Sequence, residues 1–390
     1  MKRFENIFRT IFLALFLIIA SQAVYAQEDS LSEADNIEIG LITCSPHEEI
    51  YSLYGHTALR CHNLRTGEDF VYNYGIFNFS APHFMLRFVF GLTDYELGRA
   101  PTRPFCNYYR EWGSQVTEHV LNLTRAEKMR ILDALLTNYR PENRTYRYNF
   151  FYDNCSTRPR DIIEGHLDGK IVYHPRTDYE PTYREMLHSH NAHHSWTTFG
   201  IDLLLGINAD RKTTMRQQEF LPENLRYDFD HADIDRGGQQ VPLIKERRQL
   251  VKPGIQLVEQ DFPLSPMSCA LLLLGISLII FGFEYVKKTT LRLFDIMLML
   301  LTGLAGIVLT VMIFSEHPAT SLNLQFLILN PLALLFLWKV WKGRKTIWFK
   351  FHIILTVLFL LGSIWQDYAE GMEILALCLL LRDLRHYNDK

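Results

Sequence analysis

The chain has 390 residues, 48% of them hydrophobic, with a formal net charge of -3. A balance this close to neutral carries no electrostatic footprint for nucleic acid. Six cysteines in a chain of this length are not a disulfide framework, and their spacing fixes no pairing.

The N-terminus has the order of a secretory signal peptide: basic Lys2, Arg3 and Arg9, an apolar stretch from Ile11 to Ala20, then Ala23-Val24-Tyr25-Ala26. Cleavage is expected after Ala26, which leaves residues 27–262 as an exported domain. Within it, Ile37 to Cys44 alternates and reads as a strand. Gly55 to His62 reads as a second. Thr66-Gly67 is a turn, and Phe70 to Tyr74 returns from it. Ala81 to Gly91 is a helix candidate rich in aromatics, and Ser114 to Leu121 is a further strand. Thr124 and Glu127 form a capping box that opens a helix to about Tyr139. Tyr146 to Phe151 is strand-like, and a helix follows to about His166. A short helix is expected near 200–206, then a long polar stretch. The order gives an α+β fold with a mainly antiparallel sheet.

Residues 263–390 read as an all-α transmembrane bundle of about five helices, over 266–286, 293–314, 321–341, 347–365 and 370–384, each near the length that crosses about 30 Å of hydrocarbon. Lys287, Lys288 and Arg292, then Lys339 to Lys350, then Arg382, Arg385 and Lys390 all fall on one side. The loops Ser315–Ser321 and Gln366–Gly371 hold no Lys or Arg. The basic side is cytoplasmic by charge bias, so residues 27–262 face outward, as a signal peptide requires. The location expected is the inner (cytoplasmic) membrane, multi-pass, with the N-terminal domain in the periplasm. Cys269 and Cys378 lie in these spans as small apolar residues, whereas Cys44, Cys61, Cys106 and Cys155 lie in the exported domain.

Two segments carry candidate chemistry: Tyr54-Gly55-His56-Thr57 and Tyr152-Asp153-Asn154-Cys155-Ser156-Thr157. Asp, Asn, Ser and Thr just before a helical run are capping residues, so Cys155 sits beside the first turn, where the helix dipole favours a thiolate. Taken alone, Cys155 reads as a buried structural cysteine and His56 as a structural histidine. Together they are the residue types of a thiol nucleophile and its base. Asn73, on the returning strand, is a candidate to orient that base; its other reading is a turn residue. Tyr54, Asp153 and Asn154 are supporting candidates. His188, His190, His193 and His194 lack the Cys or acidic partners that would complete a zinc site, so no metal is expected. Phe77, Phe79, Phe84, Phe88 and Phe90 read as core, or as the lining of an acyl groove near a membrane. Asp202, in Ile201-Asp202-Leu203-Leu204, caps or pairs a charge.

The run Leu41 to Arg60, the Tyr72-Asn73-Tyr74-Gly75 strand, the Asp153 to Thr157 motif, the Asp202 helix and the five-span tail resemble the Bacteroides-type lipoprotein N-acyltransferase family. The order His before Cys, with cysteine opening a helix, is also similar to circularly permuted papain-like thiol acyltransferases, including lecithin:retinol acyltransferase-like proteins. The resemblance implies a permuted papain-like exported domain that needs no cofactor. It implies that an acyl chain passes from a membrane phospholipid, through a Cys155 thioester, to the α-amino group of a diacylated lipoprotein. It carries over His56 as base and Cys155 as nucleophile. The third position is Asn73, with His62 as the other candidate. Two further readings remain open on the residues: a membrane-anchored cell-wall amidase or peptidase using the same pair, and a non-enzymatic membrane-tethered assembly module.

Overall fold

The structure is a computed structural model that describes residues 35–77, 82–256 and 262–387. The expected signal peptide and Phe79 lie outside the described residues. Seven strands form one sheet in the order β10-β5-β1-β2-β3-β4-β6. They are β1 (Ile37–Cys44), β2 (His56–Asn63), β3 (Asp69–Ile76), β4 (Asp94–Pro101), β5 (Val116–Leu121), β6 (Thr145–Arg147) and β10 (Ile244–Val251), and every pairing is antiparallel. A smaller sheet joins β7 (Lys170–Val172), β8 (Asp233–Asp235) and β9 (Gln240–Pro242).

β1 is an interior strand buried on both faces, which sets the layering. Ile39 and Leu41 join Leu59, Tyr72 and Leu97 in a core shared with Ile131, Ile163, Leu225 and Phe229. These come from helices on one side of the sheet. On the other side, Ile42 and Cys44 join Ala58, Val71, Phe105 and Tyr109. Besides the single turn Met215–Gln218, the α-helices described in the domain are α1 (Phe84–Val89), α2 (Thr102–Glu111), α3 (Arg125–Tyr139), α4 (Thr157–Gly165), α5 (Tyr183–His190), α6 (Ser195–Leu204) and α7 (Pro222–Asp230). The capping box expected at α3 forms: Glu127 N donates to Thr124 Oγ1 at 3.3 Å, and Thr124 N donates to Glu127 Oε2 at 2.7 Å.

Three sequence expectations are corrected. The strand expected over 146–151 ends at Arg147. The chain then folds into a tight turn, because Asn149 Oδ1 accepts from the backbone of Phe151 and Tyr152 and pulls the segment out of the sheet. The polar stretch after 206 contains α7 and β10, the latter an edge strand on which Lys245, Glu246 and Arg247 are exposed and Arg248 pairs with Glu38 of β1. The helix expected over 321–341 is broken into Leu324–Leu327, Pro331–Phe336 and Leu337–Trp341. Pro331 has no N–H to continue the earlier turn, and Asn330 Oδ1 accepts from Leu332 N at 3.0 Å and starts a new one.

The C-terminal region holds α8 (Pro266–Lys287), α9 (Arg292–Ile313), α10 (Trp348–Gly362) and α11 (Met372–Tyr387) around those broken turns. Pro266–Lys287, Arg292–Ile313 and Leu324–Trp341 are long and apolar enough to cross a membrane, and Trp348–Gly362 is a shorter apolar helix. Buried ion pairs tie the bundle at one end. Arg382 of α11 reaches Glu284 of α8 at 2.8 Å and Asp295 of α9 at 2.7 Å, and His352 of α10 meets Asp383 of α11 at 2.7 Å.

The opposite end of the bundle grips the first domain. Phe199, Leu203 and Leu204 of α6 pack into the bundle's own core. Gln325 Nε2 donates to the Asp202 carbonyl at 2.9 Å, Asn323 Nδ2 to that of Leu203 at 2.8 Å, and Gln366 Nε2 to that of Leu205 at 3.0 Å. These satisfy carbonyls at the C-terminal end of α6 that no helical turn would reach. The Asp202 carboxylate turns back into its own domain and pairs with Arg184 at 2.7 Å and His188 at 2.8 Å.

Candidate active site

His56 is placed by a turn that only glycine fits. Gly55 has φ +73°, and a Cβ there would lie 2.7 Å from the Cys44 carbonyl oxygen. The turn starts β2 with His56 opposite Cys44. On β3, the next strand, Asn73 Oδ1 accepts from His56 Nε2 at 2.5 Å. That contact assigns the Nε2 proton and leaves Nδ1 as the nitrogen that meets a thiol.

Cys155 is placed by Asn154. The Asn154 carboxamide oxygen accepts from Ser156 N at 2.8 Å and Thr157 N at 3.0 Å, which caps α4. Its Nδ2 donates to the carbonyls of Phe150 and Phe220, each at 2.8 Å. Thr157 Oγ1 accepts from Asn154 N at 2.8 Å and closes the turn. The thiol is thus held at the mouth of α4, 9% exposed. Gly75, with φ +96°, faces it: a Cβ there would stand 3.7 Å from Cys155 Cβ and 3.9 Å from the Tyr148 ring.

The Cys155 sulfur is hydrogen-bonded to His56, to the Thr57 backbone N–H and to the Ser156 side chain. Burial pushes its pKa up, but the His56 charge and these hydrogen bonds outweigh burial and hold the thiol below its ordinary value. For His56, burial alone would favour the neutral ring. The Cys155 charge, its hydrogen bond and the Asn73 bond reverse that and raise the imidazole. Opposed shifts of this kind favour a thiolate beside an imidazolium. Ser156 and Thr57 are both fully buried, with their hydroxyl oxygens 2.9 Å apart. When Thr57 donates to Ser156, the Ser156 hydroxyl proton is free to point at the sulfur.

The remaining sequence candidates stand apart from this cluster. The Tyr54 hydroxyl accepts from Asn191 Nδ2 at 2.9 Å, and burial pushes it up to about 12, so it orients no ring in the site. Asp153 forms a two-pronged pair with Arg158 at 2.6 and 2.7 Å, and Arg158 stacks over the Tyr146 ring at 3.6 Å. That pair braces the turn beneath the thiol. His62 lies six residues along β2 from His56, beside Arg60, and is far out of reach.

Four residues near the thiol escaped the sequence reading: Thr57, Gly75, Ser156 and Cys44. Ser156 stood in plain view among the capping residues, and Gly75 in the Tyr-Asn-Tyr-Gly run. The Cys44 thiol is hydrogen-bonded to Tyr109, and burial pushes it well above its usual value, so it stays protonated beside the reactive pair. His47 is also close. It stacks on Trp112 with centroids 4.8 Å apart, and its Nδ1 meets Ser52 Oγ at 2.8 Å. Burial and the His56 charge lower it to about 4, so it is neutral and unsuited to replace His56.

No curated protein and no solved structure matches the chain. Two family models do. One, described as the Lnb N-terminal periplasmic domain, matches residues 26–189, and the other, the Lnb transmembrane domain, matches residues 258–390. The first covers His56, Asn73 and Cys155, and the second covers the apolar helices, so this is a membrane protein with a periplasmic domain. With both halves matched in the order the fold requires, the chain belongs to the Lnb-type lipoprotein N-acyltransferase family.

Proposed function

We propose that the chain moves an acyl group from a membrane phospholipid to the α-amino group of a diacylglyceryl-cysteine lipoprotein, through a thioester on Cys155. The observation that carries this reading is the hydrogen-bonded row Cys155–His56–Asn73, on a domain docked into an apolar helical bundle. In the first step the Cys155 thiolate attacks the ester carbonyl. The carbon–oxygen bond to glycerol breaks, and His56 gives its proton to the departing lysophospholipid oxygen. In the second step the amine attacks the thioester, His56 takes a proton from nitrogen, and Cys155 leaves as thiolate. Asn73 keeps the imidazole aligned through both transfers. Backbone N–H donors beside Cys155, at the mouth of α4, hold the oxyanion.

Both substrates are held in a bilayer, so a fixed site at its surface meets them at high effective concentration. This favours lipid-borne substrates over cell-wall peptides. The same reading takes residues 1–26 as a cleaved signal peptide, 27–262 as the periplasmic catalytic domain and 263–390 as about five spans of the inner membrane. The test is mass spectrometry of lipoprotein N-termini from cells whose sole copy carries Cys155→Ala. Loss of the N-linked acyl chain is expected. N-acylation at the wild-type level, with no second enzyme present, overturns the proposal.

A further inference from the structure

The short segment between β3 and β4 has a composition its fold does not explain. Leu86 on α1 is 60% exposed, and Phe90 and Leu92 just after it are 44% and 36% exposed. Apolar side chains grouped on one surface strap call for an apolar partner. The strap is fastened to the loop that follows α9. Glu316 N donates to the Phe90 carbonyl at 3.1 Å, and a Cβ on Gly91 would meet Glu316 backbone at 3.1 Å. Arg147 reaches Glu316 at 2.9 Å. α9 is one of the helices long and apolar enough to cross a membrane, and Phe314 at its end is 83% exposed. Leu86, Phe90 and Leu92 therefore continue the bundle's apolar surface at the level where α9 leaves it.

The strap also leads to the thiol. Tyr148, the neighbour of Arg147, hydrogen-bonds to the Thr93 carbonyl, and its ring flanks Gly75 next to Cys155. Tyr95 stacks on Tyr148 with centroids 4.1 Å apart, and Phe77 meets Tyr95 at 5.1 Å. A row of rings thus runs from the strap to the nucleophile. We infer that the 86–92 strap seats in the outer leaflet and that Phe77, Tyr95 and Tyr148 form the track along which a phospholipid acyl chain reaches Cys155. The inference rests on the acyl-transfer reading above and adds where the donor is taken up.

The experiment uses the full-length protein in phospholipid nanodiscs and follows acylation of Cys155 by intact-protein mass spectrometry. One donor is the nanodisc lipid, and the other is p-nitrophenyl acetate, which is water-soluble and needs no track. In a Leu86→Glu, Phe90→Glu double variant, lipid-donated acylation should fall about tenfold or more, as charges resist seating in the leaflet. Acetylation by the soluble ester should stay within about twofold of wild type, which also shows that the site is folded. Lipid-donated acylation at the wild-type rate in the variant overturns the inference alone. Equal loss with both donors overturns it too, because the strap then serves the fold. A wild-type protein acylated by the soluble ester and never by the lipid overturns the phospholipid reading and this inference with it.

Discussion

At the scale of single residues, the site depends on who donates to whom. The thiolate–imidazolium pair exists above the lowered thiol pKa and below the raised imidazole pKa, so its pH window is wide where both shifts are large. Asn73 raises His56, so Asn73→Ala lowers the imidazole pKa and weakens the pair. The Cys155 pKa then climbs toward that of an ordinary thiol. Iodoacetamide alkylation of Cys155 should show its midpoint moved to higher pH, with a rate at pH 7 reduced roughly tenfold. Ser156→Ala removes a donor to the same sulfur and should move the midpoint in the same direction by a smaller amount, read by the same assay. His56 and Cys155 were legible in the sequence because a lone thiol among capping residues and a histidine after glycine have few other uses together. Tyr54 and Asp153, named as supporting candidates, lie outside the Cys155–His56–Asn73 row. Each lies two residues before a member of that row, Tyr54 before His56 and Asp153 before Cys155, but a turn intervenes and sends its side chain to another partner, Asn191 for Tyr54 and Arg158 for Asp153. Thr57 and Ser156 were illegible because a hydroxyl pair takes its meaning from a contact across ninety-nine positions of sequence.

Among elements, the mouth of α4 is the most demanding. Asn154 caps the helix and ties it to Phe150 and Phe220, and no other side chain in the turn has both an acceptor and two donors free for this. Asn154→Ala should cost about 2–3 kcal/mol, by loss of the cap and by leaving buried carbonyls unpaired. In detergent this lowers Tm by roughly 5–10 °C; Asn154→Asp keeps the cap acceptor but turns an oxygen that cannot donate toward the Phe150 and Phe220 carbonyls, so it lowers Tm as well. β1, β2, β3, β5 and α3 were foreseen, β1 by its alternation, β3 by the turn before it and α3 by its capping box, while β2 is short and mixed in pattern. β4 and α2 were missed. β4 alternates buried and exposed residues but includes Gly98 and ends in Pro101, which weaken the pattern, and α2 begins with Thr-Arg-Pro, which reads as a loop. β10 was hidden by its charge: Lys245, Glu246, Arg247 and Arg248 suit an edge strand yet look like a linker.

For the whole molecule, hydropathy made the apolar C-terminal region legible, but the joint between the halves was not. α6 has the sequence of a small soluble-domain helix, and only the fold shows Phe199, Leu203 and Leu204 inside the bundle's core. The joint is polar at its centre, with Asn323, Gln325 and Gln366 serving the backbone of α6. Gln325→Ala removes the shorter of two hydrogen bonds to the Asp202 carbonyl in a dry place and leaves only Arg184 Nη1, at 3.4 Å. Amide exchange across 202–206 should quicken about tenfold by mass spectrometry, while β1 amides keep their protection.

Gly206 gives that joint a last property. A side-chain carbon there would fall 2.0 Å from the Ser321 carbonyl oxygen, so the two halves meet backbone to backbone. Such a seam has no slack and no substitute partner. The helical region is therefore not an interchangeable tether: a chimaera in which one generic hydrophobic helix carries residues 27–262 would leave α6 with bare carbonyls and uncovered leucines. Periplasmic domain and bundle have to be handled, expressed and engineered as one piece.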